Sequence, residues 1–468
     1  MHWKITVALA CSFGVIKRFR LGSPFLTSFL KADKNFTSAQ VYGEIYPFWT
    51  YSNFLALIPI LVLTDLVRYK PIVALEAVSL VSCWLLLVFG TTLGQMQLMQ
   101  ICFGISTAAG IAYNTYLYAV VHKKHYKKVT SYLRMATMVG KFLAFCAGQV
   151  LISTGIGDFM LLNQLTLFVS SSLIPIVLLL PMPKKQQKDT FVDNNKLPTE
   201  QQQQNDVLLE RNSNEIDHHK LDGIDDNKNN NGKQFGAKKA FDQFEIEQPK
   251  SVQKNWTDMR SIWTKIKTKF LAPYQNRVVF HWSLYSIVIT AMVYQVQNYI
   301  QNLWDFHRKA DEREWNGFVE SINTLLNTLV VFLAQFVSLK WAEYRSVVVC
   351  CVSTMSMAWL LYAMVHFDSL FADYILYIVL YMFYNMLNAI SSNLIATHLS
   401  PNGAYGLVFG INSFVALLLQ SVVTLLIVDV NGAFALSLEA QFVTYSICML
   451  ASSFALPALQ LLVKCGKK

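Results

Sequence analysis

Charged residues are scarce in this chain, since Asp, Glu, Lys and Arg make up 15% of its 468 residues. Soluble globular domains contain about 25% charged residues, so the composition argues against a soluble protein. The net charge of +10 does not indicate a nucleic-acid partner, because the basic residues lie between apolar runs rather than on one compact domain.

The sequence also lacks the motifs of common enzyme and metal-binding classes. It has no phosphate-binding loop, no paired-histidine metal motif and no nucleophile elbow between a strand and a helix. Its 8 cysteines are spaced neither as a disulfide framework nor as a zinc site. We therefore expect no enzymatic activity, no cofactor and no metal.

Apolar residues dominate instead, at 54% of the chain with a mean hydropathy of +0.35. They form runs of about 20 residues or more, which at 1.5 Å per residue cross a bilayer core of roughly 30 Å. The predicted fold is an all-α integral membrane protein with a bundle of about twelve transmembrane helices. In the first span, residues 5–30, Gly22 and Pro24 predict a bend.

The apolar runs fall into two groups of six. Residues 1–182 form the first half and residues 276–464 the second, with a tail at 465–468. Residues 183–275 contain Q-Q-Q-Q and N-K-N-N-N-G and predict a disordered cytosolic linker, with a helix on the membrane surface near 254–271. This pattern is typical of the major facilitator architecture, in which substrate binds between two rocking halves.

Basic loop residues predict the orientation in the membrane. Lys and Arg concentrate in loops on one side, which places both termini of this multi-pass protein in the cytosol. We expect it to lie in the plasma membrane. Asn35 in N-F-T is a glycosylation acceptor that would lie outside, although a chance sequon is the alternative. Asp65 and Arg68 are spaced to pair across one helical turn at the cytosolic face, as a structural or gating contact.

Ordered motifs in both halves carry a family resemblance. K-N-F-T, W-T-Y-S, L-T-D-L-V-R-Y-K-P, M-Q-L-M, I-A-Y-N-T-Y-L-Y, W-S-L-Y, N-Y-I-Q-N-L-W, W-N-G-F-V-E-S and L-V-F-G-I-N-S-F resemble solute carrier family 19. These are the reduced folate and thiamine carriers, and the chain resembles a divergent folate-like or thiamine-like member. The resemblance implies a vitamin substrate and a co-transported proton or an exchanged organic anion.

The resemblance also bears on substrate charge. Folate carriers have basic residues where this chain has Gly110, Tyr381 and Gln420, so the three cationic positions of a folate site are empty. Thiamine carriers resemble the chain at Gln295, Asn298, Gln301 and Gln420, but they have a Glu in place of Gly110. Both subfamilies have an acid at the position of Glu320. The expected pocket is neutral to cationic, with Glu320 as its remaining charge.

Each candidate residue has a structural alternative. Glu320 and Glu44 lie near helix ends, where a carboxylate reaches water easily. Tyr113 is equally consistent with substrate contact and with helix packing. Gln295 and Asn298 could bridge helices rather than bind a ligand.

The sequence thus favours a secondary-active transporter that carries thiamine, or a related cationic or neutral B-type vitamin, by alternating access. Two alternatives stay open. One is a reduced folate carrier whose anion site is rebuilt elsewhere, and the other is a vitamin-binding sensor that does not transport.

Overall fold

The computed structural model describes residues 3–67, 69–121, 126–181, 271–334, 343–399 and 405–465. All regular structure within these ranges is helical. The predicted linker therefore lies outside the described residues except for 271–275, and so does the surface helix near 254–271 except for residue 271. Arg68 and the side chain of Asp65 also lie outside them, so their pairing stays a prediction.

The helices form an N-terminal and a C-terminal bundle. The N-terminal bundle contains α1 (Trp3–Arg18), α2 (Leu26–Ala32), α3 (Pro47–Val67), α4 (Tyr69–Phe89), α5 (Leu93–Val120), α6 (Tyr126–Ser153), α7 (Phe159–Ser171) and α8 (Leu173–Leu179). The C-terminal bundle contains α9 (Arg277–His307), α10 (Asn316–Ala334), α11 (Glu343–His366), α12 (Leu370–His398), α13 (Tyr405–Val423) and α14 (Leu438–Cys465). Short π-helical segments, Gln40–Ile45 and Thr424–Val428, precede α3 and follow α13.

Eight helical segments among the described residues are long and apolar enough to cross a membrane, judged by length and composition. They correspond to α3 with its π-helical segment, α4, α6, α7 with α8, α9, α11, α12, and α13 with its π-helical segment. With the broken segment α1–α2 and helices α5, α10 and α14, each bundle contains six long helical segments. Helices suit this setting because they satisfy their backbone hydrogen bonds internally, without water.

The predicted bend in the first span is confirmed. Helix α1 ends at Arg18, and a 3-10 turn at Ser23–Phe25, with Pro24 inside it, leads into α2. Proline has a fixed φ and no backbone N–H, so it starts a helical turn without losing a hydrogen bond. The backbone N–H of Leu21 donates to Thr166 Oγ1 at 3.1 Å. We call residues 17–25 the helix break, and it lies inside the N-terminal bundle.

Close helix contacts hold the helix break in place. A Cβ atom at Gly140 of α6 would lie 2.4 Å from the carbonyl oxygen of Val15, and one at Gly148 would lie 2.7 Å from that of Leu21. Only glycine permits such an approach of two backbones. The first span is therefore seated directly on α6.

The two bundles contact each other through α6 with α10 and through α3 with α13. We call the end of the molecule that carries Asn35 and residues 308–315 the Asn35 end. Several hydrogen bonds join the bundles there, including Tyr51 Oη to Asp429 Oδ2 at 2.8 Å and Gln301 Nε2 to the carbonyl of Ser23 at 2.9 Å. The described polar contacts thus close this end of the interface.

Candidate functional site

A buried ion pair lies beside the helix break. Lys17 Nζ of α1 is 2.7 Å from Glu76 Oε1 of α4, and both side chains are less than 10% exposed. The ammonium group also lies 3.8 Å from the ring centroid of Tyr113 on α5. Burying two charges costs several kcal/mol of desolvation per ion, which a close partner and an aromatic face partly offset. Three helices therefore combine to hold one lysine.

Gly110 lies directly against this pair. A Cβ atom there would be 3.3 Å from Glu76 Oε1 and 3.8 Å from Lys17 Nζ. Gly110 itself is half-buried. The position that looked empty of charge in the sequence therefore faces charges that come from α1 and α4.

Two arginines follow Lys17 at the helix break. Arg20 Nε donates to the carbonyl of Lys17 at 2.8 Å, and its guanidinium lies 4.8 Å from the ring centroid of Phe103. Arg18 is exposed to solvent.

Charge at the helix break is unbalanced. No described carboxylate lies within ion-pair distance of Arg18 or Arg20, and Glu76 neutralises only Lys17. Three cations against one carboxylate leave a formal charge of +2. Sequence reasoning missed this group, although charges inside a membrane segment are functional candidates by default.

Glu320 does not stand alone in the structure. Its Oε2 is 3.1 Å from Lys141 Nζ, and its Oε1 accepts a hydrogen bond of 2.7 Å from Tyr377 Oη. Lys141 belongs to α6, whereas Glu320 and Tyr377 belong to α10 and α12. The carboxylate predicted to be a substrate charge is thus part of a contact between the bundles.

Tyr381 continues an aromatic row on α12. Its ring centroid lies 4.7 Å from that of Tyr377 and 6.3 Å from that of Tyr384. Its hydroxyl is buried and has no hydrogen-bond partner among the described residues. It is therefore a polar group available to a ligand that reaches α12.

Gln295 and Gln420 lie together between α9 and α13. Gln295 Nε2 donates to the carbonyl of Gln420 at 3.0 Å and to Thr424 Oγ1 at 2.9 Å. The side-chain amide of Gln420 is buried and has no partner in the described part of the chain. Gln295 thus bridges two helices, whereas the side-chain amide of Gln420 is unpaired in the described part of the chain.

Asn298 lies on α9 at the contact with the other bundle. Its Nδ2 is 3.5 Å from Thr50 Oγ1. This distance is at the limit of a hydrogen bond, so the contact holds the side chain only weakly.

Tyr113 is fully buried among helices of the N-terminal bundle. Its hydroxyl donates to the carbonyl of Ala10 at 2.7 Å, and its ring centroid lies 4.9 Å from that of Phe13. In this conformation the residue packs the bundle and offers its ring to Lys17.

Glu44 and Asn35 lie near the Asn35 end. Glu44 is half-buried in the first π-helical segment, and its carboxylate has no ion-pair partner among the described cations. Asn35 is exposed and has φ +58°, a left-handed conformation that asparagine tolerates. Its side chain is thus accessible to a modifying enzyme.

A charged cluster joins the bundles at the Asn35 end. Arg308 contacts Asp305 at 3.1 Å and also pairs with Glu314, while Lys31 of α2 pairs with Asp305. Glu314 Oε2 accepts from Ser28 Oγ at 2.9 Å. We call Ser28, Lys31, Asp305, Arg308 and Glu314 the end cluster, and its cations and carboxylates balance. Sequence reasoning missed it because its members come from separate loops and helices.

The adjoining W-N-G-F-V-E-S segment fits closely against the N-terminal bundle. Gln149 Nε2 donates to the carbonyl of Glu314 at 2.6 Å, and its Oε1 accepts from the backbone N–H of Gly317 at 2.9 Å. Asn316 Nδ2 donates to the carbonyl of Pro24 at 3.1 Å. A motif that carried the family resemblance thus forms an interface between the bundles.

Comparisons with known proteins agree on the class of molecule. Residues 1–444 match the family model described as reduced folate carrier. The chain is 36% identical to Folate transporter 1 of Caenorhabditis elegans, over 97% of this chain and 92% of that protein. It is 33% identical to Thiamine transporter 1 of Mus musculus, over 100% of this chain and 92% of that protein.

Solved structures share the fold. The nucleoside transporter NupG aligns with a TM-score of 0.59 at 14% identity, over 98% of this chain and 99% of that one. A D-xylose-proton symporter aligns with a TM-score of 0.56 at 10% identity, over 97% and 96% of the two chains. The predicted all-α transporter fold, rather than an enzyme, is thereby confirmed.

Proposed function

We propose that this chain, which belongs to the reduced folate carrier family, transports an organic anion of the reduced folate type. The similarity values do not select the substrate, because relatives named for folate and for thiamine are 36% and 33% identical to the chain. The net charge of the site therefore has to distinguish an anionic folate from cationic thiamine.

The charge balance at the helix break carries the proposal. Folate is a dianion at neutral pH, and Lys17, Arg18 and Arg20 exceed their single carboxylate partner by two charges. A cation such as thiamine would be repelled by this excess, whereas a dianion would neutralise it in a medium where uncompensated charge is costly. The geometry thus supports the rebuilt anion site rather than the neutral to cationic pocket expected from the sequence.

The two arginines suit carboxylate recognition. A guanidinium presents parallel N–H groups that bind a carboxylate through two hydrogen bonds. Phe103 and the carbonyl of Lys17 orient Arg20, and Arg18 is accessible. We assign one substrate carboxylate to these two side chains.

The C-terminal bundle supplies neutral groups. The Gln420 amide and the Tyr381 hydroxyl are buried polar groups without described partners, and Asn298 is weakly held. Such groups satisfy the donors and acceptors of a ring system without adding charge. We place the substrate between the bundles, with its carboxylates toward the helix break.

Transport would proceed by alternating access. The bundles contact each other at the Asn35 end through the Lys31–Asp305 ion pair, which would break and reform as that end opens and closes. Rocking of the two bundles about the substrate would open that end. We further propose a plasma-membrane location with Asn35 outside and glycosylated and both termini in the cytosol, and coupling to a proton or to an exchanged organic anion.

Uptake by cells expressing the chain tests the proposal. We expect saturable entry of a labelled reduced folate that unlabelled folate inhibits and thiamine does not. Arg18→Gln and Arg20→Gln should each lower uptake per surface molecule about tenfold, because each removes a charge-assisted hydrogen bond. Arg277→Gln is the matched control, since Arg277 is exposed at the first residue of α9.

Other outcomes would identify the alternatives. Saturable thiamine or pyridoxine entry without folate entry would overturn the anion assignment. Surface protein that binds folate but moves none of these vitamins would indicate a sensor rather than a transporter.

A further inference from the structure

We propose that Lys17 is a specificity-determining cation of the transport site, reached by substrate past Gly110, and that Glu76 is its positioning residue. This inference rests on the proposed function and adds the route and the residue that select a doubly charged substrate. The Lys17–Glu76 pair is enclosed by three helices, but it lies next to the backbone of Gly110, which is partly accessible.

Packing does not require glycine at position 110. At Gly140 and Gly148 an added Cβ would meet backbone carbonyl oxygens at 2.4 and 2.7 Å, so those glycines are needed for the contact of two helices. At Gly110 the nearest atoms are the ends of the Glu76 and Lys17 side chains, at 3.3 and 3.8 Å. An alanine there would need only a small shift of these side chains.

Glycine at this position instead places no side chain between the accessible part of Gly110 and the buried pair. Gly110 is half-buried, so part of its surface is accessible, and the ammonium of Lys17 lies just behind it. Glycine commonly occurs where a ligand approaches backbone closely. A substrate carboxylate at Gly110 would therefore come within range of Lys17 without any rearrangement of α5.

Glu76 fixes the position of the Lys17 ammonium group. It bonds to Lys17 through Oε1 at 2.7 Å, while its Oε2 is buried and has no hydrogen-bond partner among the described residues. The Tyr113 ring faces the ammonium at 3.8 Å from its centroid. Lys17 is thus held between the Glu76 carboxylate and the Tyr113 ring, whereas a lysine on the surface is mobile.

Position 110 can also serve as an alternative source of the charge. An arginine at 110 would start 3.3 Å from Glu76 Oε1 at its Cβ, so it could pair with Glu76 once Lys17 is neutral. The site would then regain its cation from α5 instead of α1. This possibility gives a rescue that distinguishes recognition from a purely structural role.

The experiment measures KM for two probes in cells with quantified surface protein. The probes are a reduced folate, which is a dianion, and pteroate, which lacks the glutamate and has one carboxylate. Two variants are compared with wild type. Gly110→Ala shields the pair with a methyl group. Lys17→Met/Glu76→Gln removes both charges of the pair and leaves no lone charge. Lys17→Met/Gly110→Arg tests the rescue. Lys70→Met is the control, since Lys70 is half-buried and its ammonium donates to the carbonyl of Leu178, away from the pair.

We expect KM for the reduced folate to rise about tenfold in Gly110→Ala and in the neutral double variant, with a much smaller change for pteroate. Lys17→Met/Gly110→Arg should recover most of the affinity for the dianion. Wild-type KM for the dianion in the neutral double variant would overturn the inference and assign the pair to packing. Failure of wild type to take up folate would overturn the proposed function instead, and the two failures are therefore distinguishable.

Discussion

The Lys17–Glu76 and Lys141–Glu320 pairs both join a lysine to a glutamate inside the molecule. One pair lies within a bundle, whereas the other joins the two bundles. The first links α1 to α4 within the N-terminal bundle. The second links α6 of the N-terminal bundle to α10 of the C-terminal bundle. A pair within one bundle moves as a unit, whereas a pair between bundles has to break when the bundles separate.

Burial separates the pairs further. The side chains of Lys17 and Glu76 are 7% and 5% exposed, whereas those of Lys141 and Glu320 are 27% and 12% exposed. A deeply buried pair is costly to disrupt on one side only, and a partly exposed pair is not. The first pair therefore supports a permanent site, and the second supports a reversible contact.

Loss of Lys17 should lower the stability of the protein more than any other single change considered. Lys17→Met leaves the Glu76 carboxylate buried without a partner, so the free energy of unfolding should fall by about 3–5 kcal/mol. Thermal unfolding of purified protein in detergent would measure it. The matched control Lys70→Met should change little.

A second variant sharpens this result. Adding Glu76→Gln to Lys17→Met removes the lone charge and should restore most of the lost stability. If Lys17→Met unfolds at the temperature of the control, the pair is not the buried contact that the geometry indicates.

Lys141→Met should have a smaller effect on stability and a clear effect on conformation. Glu320 keeps its hydrogen bond from Tyr377 and reaches solvent, so the free energy of unfolding should fall by about 1 kcal/mol or less. Loss of a contact between the bundles should favour opening of the Asn35 end by a similar free energy, or about fivefold in population.

Cysteine labelling would measure that opening. Ser28→Cys, in a background without reactive native cysteines, places a thiol at a buried position of the end cluster. Its labelling by maleimide in purified protein should quicken about fivefold with Lys141→Met. Thr37→Cys at an exposed position of the same end should label at one rate in both backgrounds, and equal rates at Ser28→Cys would refute the contact's role.

Much of the fold could be predicted from the sequence, because lipid imposes a strong rule. Each crossing needs a long apolar helix, and those runs are visible without any tertiary information. The break in the first span could likewise be predicted from Gly22 and Pro24, since glycine and proline change the backbone conformation at their own positions.

The charge balance of the site could not be predicted in this way. Lys17 and Glu76 are 59 positions apart, and Lys141 and Glu320 are 179 apart. Their pairing depends on how each helix is rotated and packed, which apolar periodicity does not specify. Comparing single positions with relatives showed Gly110 as an empty charge position, whereas the cation beside it comes from another helix.

The smallest effect on stability is expected at Asn298, and it tests a ligand role directly. Because Asn298 Nδ2 lies 3.5 Å from Thr50 Oγ1, Asn298→Ala should lower the free energy of unfolding by only about 0.5 kcal/mol or less. KM for reduced folate should nevertheless rise several-fold, since a hydrogen bond to substrate is lost. Gln295→Ala is the contrasting control, because it loses two buried hydrogen bonds and should cost about 2 kcal/mol of stability with little change in KM. An unchanged KM in Asn298→Ala would leave the weak contact between the bundles as the only role of that side chain.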